Sequence, residues 1–279
     1  MVRGSPTWVR ARVASRPCLH IAISHAIACV CARARRRPPP PLHYGAHGPR
    51  ARQLVANNAD YWTPNQFETD DNPLAHSEHT GPEIWEQAGG EVDCFVAGAG
   101  TGGTLNGAGQ YLKGKNPQCH VVCVEPTEAR VLVGAPGGMH GVVGIGANLQ
   151  LPLLEKLAPG QAWQEGPRGA IDEFSHASTP ESVQWANRVA AEEGLLVGPS
   201  SGAAIKVGVE MAKRPEMMGK TVVVLSASSA IRYVSHPMWE GQKVEAAAAL
   251  PIPPDLETEI PVCRWMSENY VPPPPPPKM

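Results

Sequence analysis

The chain has 279 residues, 42% of them hydrophobic and 18% charged, which at roughly 150 residues per domain is enough for one or two domains with a buried core. No apolar run reaches the roughly 18 residues a membrane-spanning helix needs, since the longest candidate, residues 19–31, is broken by His20, Ser24 and His25. Seven cysteines, an odd number with no C-x-x-C pair, argue against a disulfide framework or a zinc ribbon and fit a reducing compartment.

The net charge of −2 conceals a split, because residues 1–52 hold ten of the 24 basic residues, all arginine, and no acidic residue. This stretch shows no sustained helical or strand period, and Arg35-Arg36-Arg37 runs into Pro38 to Pro41. Residues 1–53 are therefore expected to form an Arg/Pro-rich arm, disordered or akin to an organelle transit peptide, or else to be a misassigned start. Without lysines or aromatic residues spaced for base stacking, the arm is not expected to bind nucleic acid. The compartment read from it is the cytoplasm, or a chloroplast or mitochondrion if the arm is a transit peptide. Residues 246–279 contain the run Pro272 to Pro277 and favour an extended polyproline tail.

Between them, residues 54–245 alternate helix and strand signals. Thr80-Gly81-Pro82-Glu83 reads as a capping box opening a helix that stops at Gly89-Gly90. A short buried strand is predicted over residues 92–97, a helix over 104–113 and a strand over 120–124. Thr179-Pro180-Glu181 starts a helix with Val183, Ala186, Val189 and Ala190 on one face, ended by Gly194. Residues 195–197 read as a strand feeding Gly198-Pro199-Ser200-Ser201-Gly202, followed by a helix over 203–214 and a buried strand over 221–225. Such units imply an α/β fold whose mostly parallel sheet is covered on both faces.

The chemistry concentrates in Gly98-Ala99-Gly100-Thr101-Gly102-Gly103-Thr104, placed between a strand and a helix. Glycines let backbone N–H groups turn inward, threonine hydroxyls add donors, and the following helix offers its positive end to an anion, so the loop is read as a phosphate site. Gly98, Gly100 and Gly103 also satisfy the G-x-G-x-x-G dinucleotide pattern, with Glu125 lying 22 residues beyond Gly103 where a ribose-binding acid would sit. An NAD-binding Rossmann protein thus stays open, as does a loop needed only for packing.

The surrounding blocks resemble one family. In order they are Gln66-Phe67, Asn72-Pro73, Thr80-Gly81-Pro82-Glu83-Ile84-Trp85, the glycine loop, Val124-Glu125-Pro126, Gly144-Ile145-Gly146-Ala147, Glu193 to Gly198, Ser200 to Ala204 and Arg232-Tyr233. Over about residues 57–240 the chain is similar to cysteine synthases, also called O-acetylserine (thiol)lyases. These are fold-type II pyridoxal-phosphate enzymes, like tryptophan synthase β chains. The resemblance implies that Gly100, Thr101, Gly102, Gly103 and Thr104 hold the phosphate of pyridoxal 5′-phosphate and that Ser200 bonds its ring nitrogen. It likewise implies that Gln66 contacts the substrate carboxylate and that Gly144 takes part in closure at the mouth; no metal is implied. Taken alone, Ser200 also suits a helix N-cap, Gln66 an exposed polar position and Gly144 a turn.

The implied reaction replaces the acetate of O-acetylserine with sulfide, with a homodimer and serine acetyltransferase as partners. What the sequence carries matches mainly the larger, C-terminal lobe of that fold. The family's Schiff-base lysine and its asparagine loop have no counterpart, the first lysine being Lys113. A lysine-less, non-catalytic paralogue acting through partners is therefore an alternative. Pro199, Val143 and Ala230-Ile231 also depart from the family pattern.

Overall fold

A computed structural model describes residues 9–11, 19–23, 44–155 and 169–249. The elements in chain order are β1 (Val9–Ala11), β2 (Leu19–Ile23), α1 (Tyr44–Ala56), α2 (Asp71–Ala75), a π-helical turn (His76–Thr80), α3 (Gly81–Gln87), β3 (Cys94–Gly98), α4 (Gly103–Lys115), β4 (His120–Pro126), α5 (Pro152–Glu155), β5 (Glu173–Ala177), α6 (Thr179–Glu193), α7 (Pro199–Ala212), β6 (Val222–Ser226) and α8 (Glu240–Ala249). The described residues form two compact units, one up to Tyr233 that holds the sheet and one from Val234 that holds α8.

The sheet runs β1-β2-β6-β3-β4-β5. Its ladders are parallel except for β1 on β2. The central strands β3, β4 and β6 are buried apolar runs, as a sheet covered on both faces requires. On one face Phe95, Ala97, Val121, Cys123, Val223 and Leu225 pack with Ile84 of α3 and with Leu105, Ala108 and Leu112 of α4. On the other face lies α7, against β6, β3, β4 and β5, with α6 packed beside it.

Three expectations change. The Thr80 capping box does not form, because Thr80 has helical dihedrals and its hydroxyl turns back to His76 inside the π turn that joins α2 to α3. The cap that does form lies at α6, where Ser178 and Glu181 satisfy one another's backbone N–H groups. Residues 195–197 make no sheet strand, only one antiparallel bridge from Val197 to Ser229. Within residues 1–53, expected as a disordered or transit-like arm, β2 continues the parallel ladder beside β6, which would otherwise be an open edge, and α1 spans the end of the segment. The rest of that segment, and the proline tail beyond residue 249, lie outside the described residues.

Candidate functional site

The glycine loop leaves the carboxyl end of β3, where a parallel sheet opens its crevice to ligands. Gly102 takes the left-handed conformation, φ 88°, which turns the chain sharply into α4. At Gly103 the constraint is a close approach, since a Cβ there would fall 2.0 Å from Asn72 Oδ1. Only glycine lets the Asn72 amide lie against the first turn of α4, where N–H groups lack helical partners.

Asn72 Nδ2 lies 2.8 Å from the Gln66 carbonyl oxygen and 2.9 Å from Thr101 Oγ1. Thr101 Oγ1 also accepts from the Gly103 N–H at 3.3 Å. Four residues on, His76 bridges two more hydroxyls, with Nδ1 2.9 Å from Thr80 Oγ1 and Nε2 3.1 Å from Thr104 Oγ1. Burial holds the His76 pKa below its ordinary value, so the ring is neutral at pH 7, one nitrogen donating and the other accepting. Both loop threonines are thus set from the α2 and π-turn segment.

The opposite wall is the Gly144–Gly146 turn. A Cβ on Gly100 would lie 2.8 Å from the Gly144 carbonyl oxygen, and one on Gly144, at φ 101°, would lie 3.7 Å from Ser200 Oγ. The Gly146 N–H donates to the Ala99 carbonyl at 3.2 Å, tying this turn to the loop. Gln66, Gly100, Thr101 and Gly144 line one cavity of about 460 Å³, whose lining carries no Asp, Glu, Lys or Arg among the described residues. An anion there would meet neutral donors and a helix terminus rather than a counter-charge.

Of the residues singled out from sequence, Gly102, Gly103, Thr104 and Ser200 do not line the cavity; Gly103 adjoins the lining through Asn72, which bonds Gln66 and Thr101, and Ser200 lies beside Gly144. Ser200 is 5% exposed and sits inside the first turn of α7, the N-cap being Gly198, so the N-cap reading of Ser200 is corrected. Glu125, the acid of the dinucleotide pattern, is 2% exposed and accepts from the Leu132 N–H at 2.9 Å instead of facing the loop. Asn72, His76 and Thr80 were not nominated from sequence as site residues. The available signal was their spacing, which places 72, 76 and 80 one helical turn apart on one face.

The profile of the pyridoxal-phosphate dependent enzyme family matches residues 42–228. Cysteine synthase 3 of Caenorhabditis elegans is 41% identical over 169 residues, which are 61% of this chain and 47% of that protein. Cysteine synthase A of Escherichia coli K12 is 37% identical over 200 residues, 67% of this chain and 57% of that protein. A crystal structure of cysteine synthase from Entamoeba histolytica superposes with a TM-score of 0.62 at 35% identity, covering 70% of this chain and 54% of that one. The chain thus spans about half the length of the curated relatives it matches.

Proposed function

The chain belongs to the family of pyridoxal-phosphate dependent enzymes, and from that premise we propose that its glycine loop and Ser200 hold pyridoxal 5′-phosphate in a site of the cysteine synthase type. The reaction proposed is β-replacement on O-acetylserine by sulfide, a step of cysteine biosynthesis. The observation that carries this reading is Thr101: with its oxygen already accepting from Asn72 and Gly103, its own O–H is left to donate to an anion.

The residues present fit the cofactor. A side chain at Gly100 would collide with the Gly144 carbonyl and one at Gly103 with Asn72, so the loop's shape needs both glycines, and the donors around it are neutral and pre-set, as recognition of a phosphate at a helix terminus requires. Ser200 offers a neutral hydroxyl toward a ring nitrogen and, unlike a carboxylate, does not force that nitrogen to stay protonated. Bound there, pyridoxal phosphate supplies the electron sink that weakens bonds at a substrate α-carbon. Gln66 orients the substrate carboxylate, and the Gly144 turn, flanked by apolar Val142 and Ile145, limits water at the mouth.

One observation favours a second reading, in which the chain holds the cofactor, or a partner such as serine acetyltransferase or a second copy, without turnover. No lysine lines the cavity among the described residues. Lys206, the nearest in sequence to Ser200, is engaged with the His176 carbonyl, Glu181 and Glu210.

Titration of the purified chain with pyridoxal phosphate, followed by absorbance and phosphorus NMR, tests both readings. Saturable binding weakened by Thr101→Val is the expected result, and no saturable binding overturns the cofactor site in both readings, leaving only partner binding. Cysteine formed from O-acetylserine and sulfide, together with a lysine adduct trapped by borohydride, supports turnover. Binding without either product supports the second reading.

A further inference from the structure

Asn72 touches two parts of the site that are six and 29 residues away along the chain. Its amide orientation is fixed by chemistry: the Gln66 carbonyl can only accept, so the NH₂ group faces it and the second amide hydrogen goes to Thr101 Oγ1. Thr101 Oγ1 then has both lone pairs occupied, by Asn72 Nδ2 and by the Gly103 N–H, and its hydroxyl hydrogen has no partner inside the loop. The Asn72 Oδ1 edge lies over Gly103, in space that any Cβ would take.

We infer that Asn72 is a positioning residue that makes Thr101 an obligate hydrogen-bond donor to the bound anion and couples the Gln66 segment to the anion loop. The inference rests on the phosphate-site reading above and goes beyond it, because Asn72 acts through Thr101 and the Gln66 backbone instead of touching ligand. A shift of the Gln66 backbone pulls on the same amide that orients Thr101. Occupancy of the anion loop and the position of the segment meant for the substrate carboxylate are thereby linked. An aspartate of the same shape would lose both donors, accept the Thr101 hydrogen itself and place a carboxylate beside the anion.

The test is a double-mutant cycle on the full chain with pyridoxal phosphate as probe, each variant first checked for an intact thermal transition. Asn72→Ala and Thr101→Val each weaken binding about tenfold, the worth of one hydrogen bond, and Asn72→Asp weakens it on the order of a hundredfold. In the Thr101→Val background, Asn72→Ala has little further effect, whereas a merely structural role would cost the same factor again and overturn the inference. Unchanged affinity in Asn72→Ala also overturns it.

Hydrogen exchange at the Gly103 amide without ligand gives an independent reading. Exchange faster in Asn72→Ala than in the parent chain supports the inference, and equal exchange overturns it. If the parent chain binds no pyridoxal phosphate, the parent reading fails, and this exchange comparison still decides whether Asn72 orders Thr101. If Asn72→Ala does not fold, the isosteric Asn72→Asp carries both measurements.

Discussion

Where β3 leaves the sheet, the chain presents glycine backbone, threonine hydroxyls and amides, and the cavity they bound is lined by no Asp, Glu, Lys or Arg among the described residues. Where β4 and β5 enter the sheet, at the opposite end, charges crowd together. Arg214 makes two bonds of 2.7 Å to the two carboxylate oxygens of Glu173, His120 Nε2 lies 3.1 Å from that carboxylate, and Lys113 pairs with Asp172 at 2.6 Å. Arg214 chiefly, with His120 and Ser175 helping, holds the Glu173 pKa at about 2 against partial burial. The charged end pairs its charges with one another, whereas the loop end keeps at least one donor, the Thr101 hydroxyl, without a partner in the loop. Binding capacity and charge-based stability are thus built at opposite ends of the same strands, and separate substitutions should separate them.

The largest effect is expected at the loop end. Gly103→Ala drives a methyl into Asn72, and overpacking of this kind costs about 1–3 kcal/mol of stability. It also pushes the amide off Thr101, so pyridoxal phosphate affinity falls with it. Adding Asn72→Ala makes room for the methyl: the double variant should regain stability in denaturant titration without regaining affinity. Recovery of both would mean that the loop needs only space and not the Asn72 donor.

At the other end, Arg214→Gln should leave pyridoxal phosphate affinity unchanged and lower stability at pH 7 by about 1 kcal/mol, the small end for a charged hydrogen-bonded pair because both groups keep contact with water. Its pH dependence carries a sign. Glu173 titrates at about 2 in the folded chain against an ordinary 4.5, so the unfolded chain binds the proton first. The stabilisation is complete above pH 4.5 and drains away as pH falls toward 2. Parent and Arg214→Gln unfolding curves should therefore differ at neutral pH and converge near pH 2. A constant gap across that range would mean that Arg214 acts by packing.

Which parts of this arrangement the sequence disclosed follows from how local their physics is. The glycine loop was legible because backbone conformation and donors arise within seven consecutive residues, and β3, β4 and β6 because buried parallel strands leave continuous apolar runs. Strand β5 went unread: as a sheet edge it alternates Glu173, Ser175 and Ala177 with Phe174 and His176, and only Ala177 is fully buried. Thr80 misled because a T-G-P-E string caps a helix only if the preceding residue is not already helical, and here a π turn precedes it. The meeting of Gln66, the loop, Gly144 and Ser200 spans more than 130 residues of chain. No spacing rule reaches that far; the resemblance supplied it. Asn72 and His76 stand within or beside the family-like blocks, yet their partners Thr101 and Thr104 lie 29 and 28 residues on, too far for a local pattern to pair them.

The smallest effect expected concerns the histidine behind the loop. Burial lowers the His76 pKa, so below pH 6.5 the unfolded chain takes up a proton that the folded chain resists, and stability declines as pH falls through that value. His176 is depressed in the same direction, by burial first and then by Arg130 and Lys206, and adds a slope of the same sign. His76→Asn should therefore make the fall of unfolding free energy below pH 6.5 shallower without abolishing it, the remainder belonging to His176. At pH 7.5, where neither ring is charged, the same variant should weaken pyridoxal phosphate binding less than Asn72→Ala does. The Asn72 bond fills a lone pair of Thr101 alongside the Gly103 N–H, whereas the Thr104 hydroxyl keeps the freedom to turn once its His76 contact is gone. Equal losses in the two variants would place both threonines under the same control and remove the distinction between the two arms of the loop.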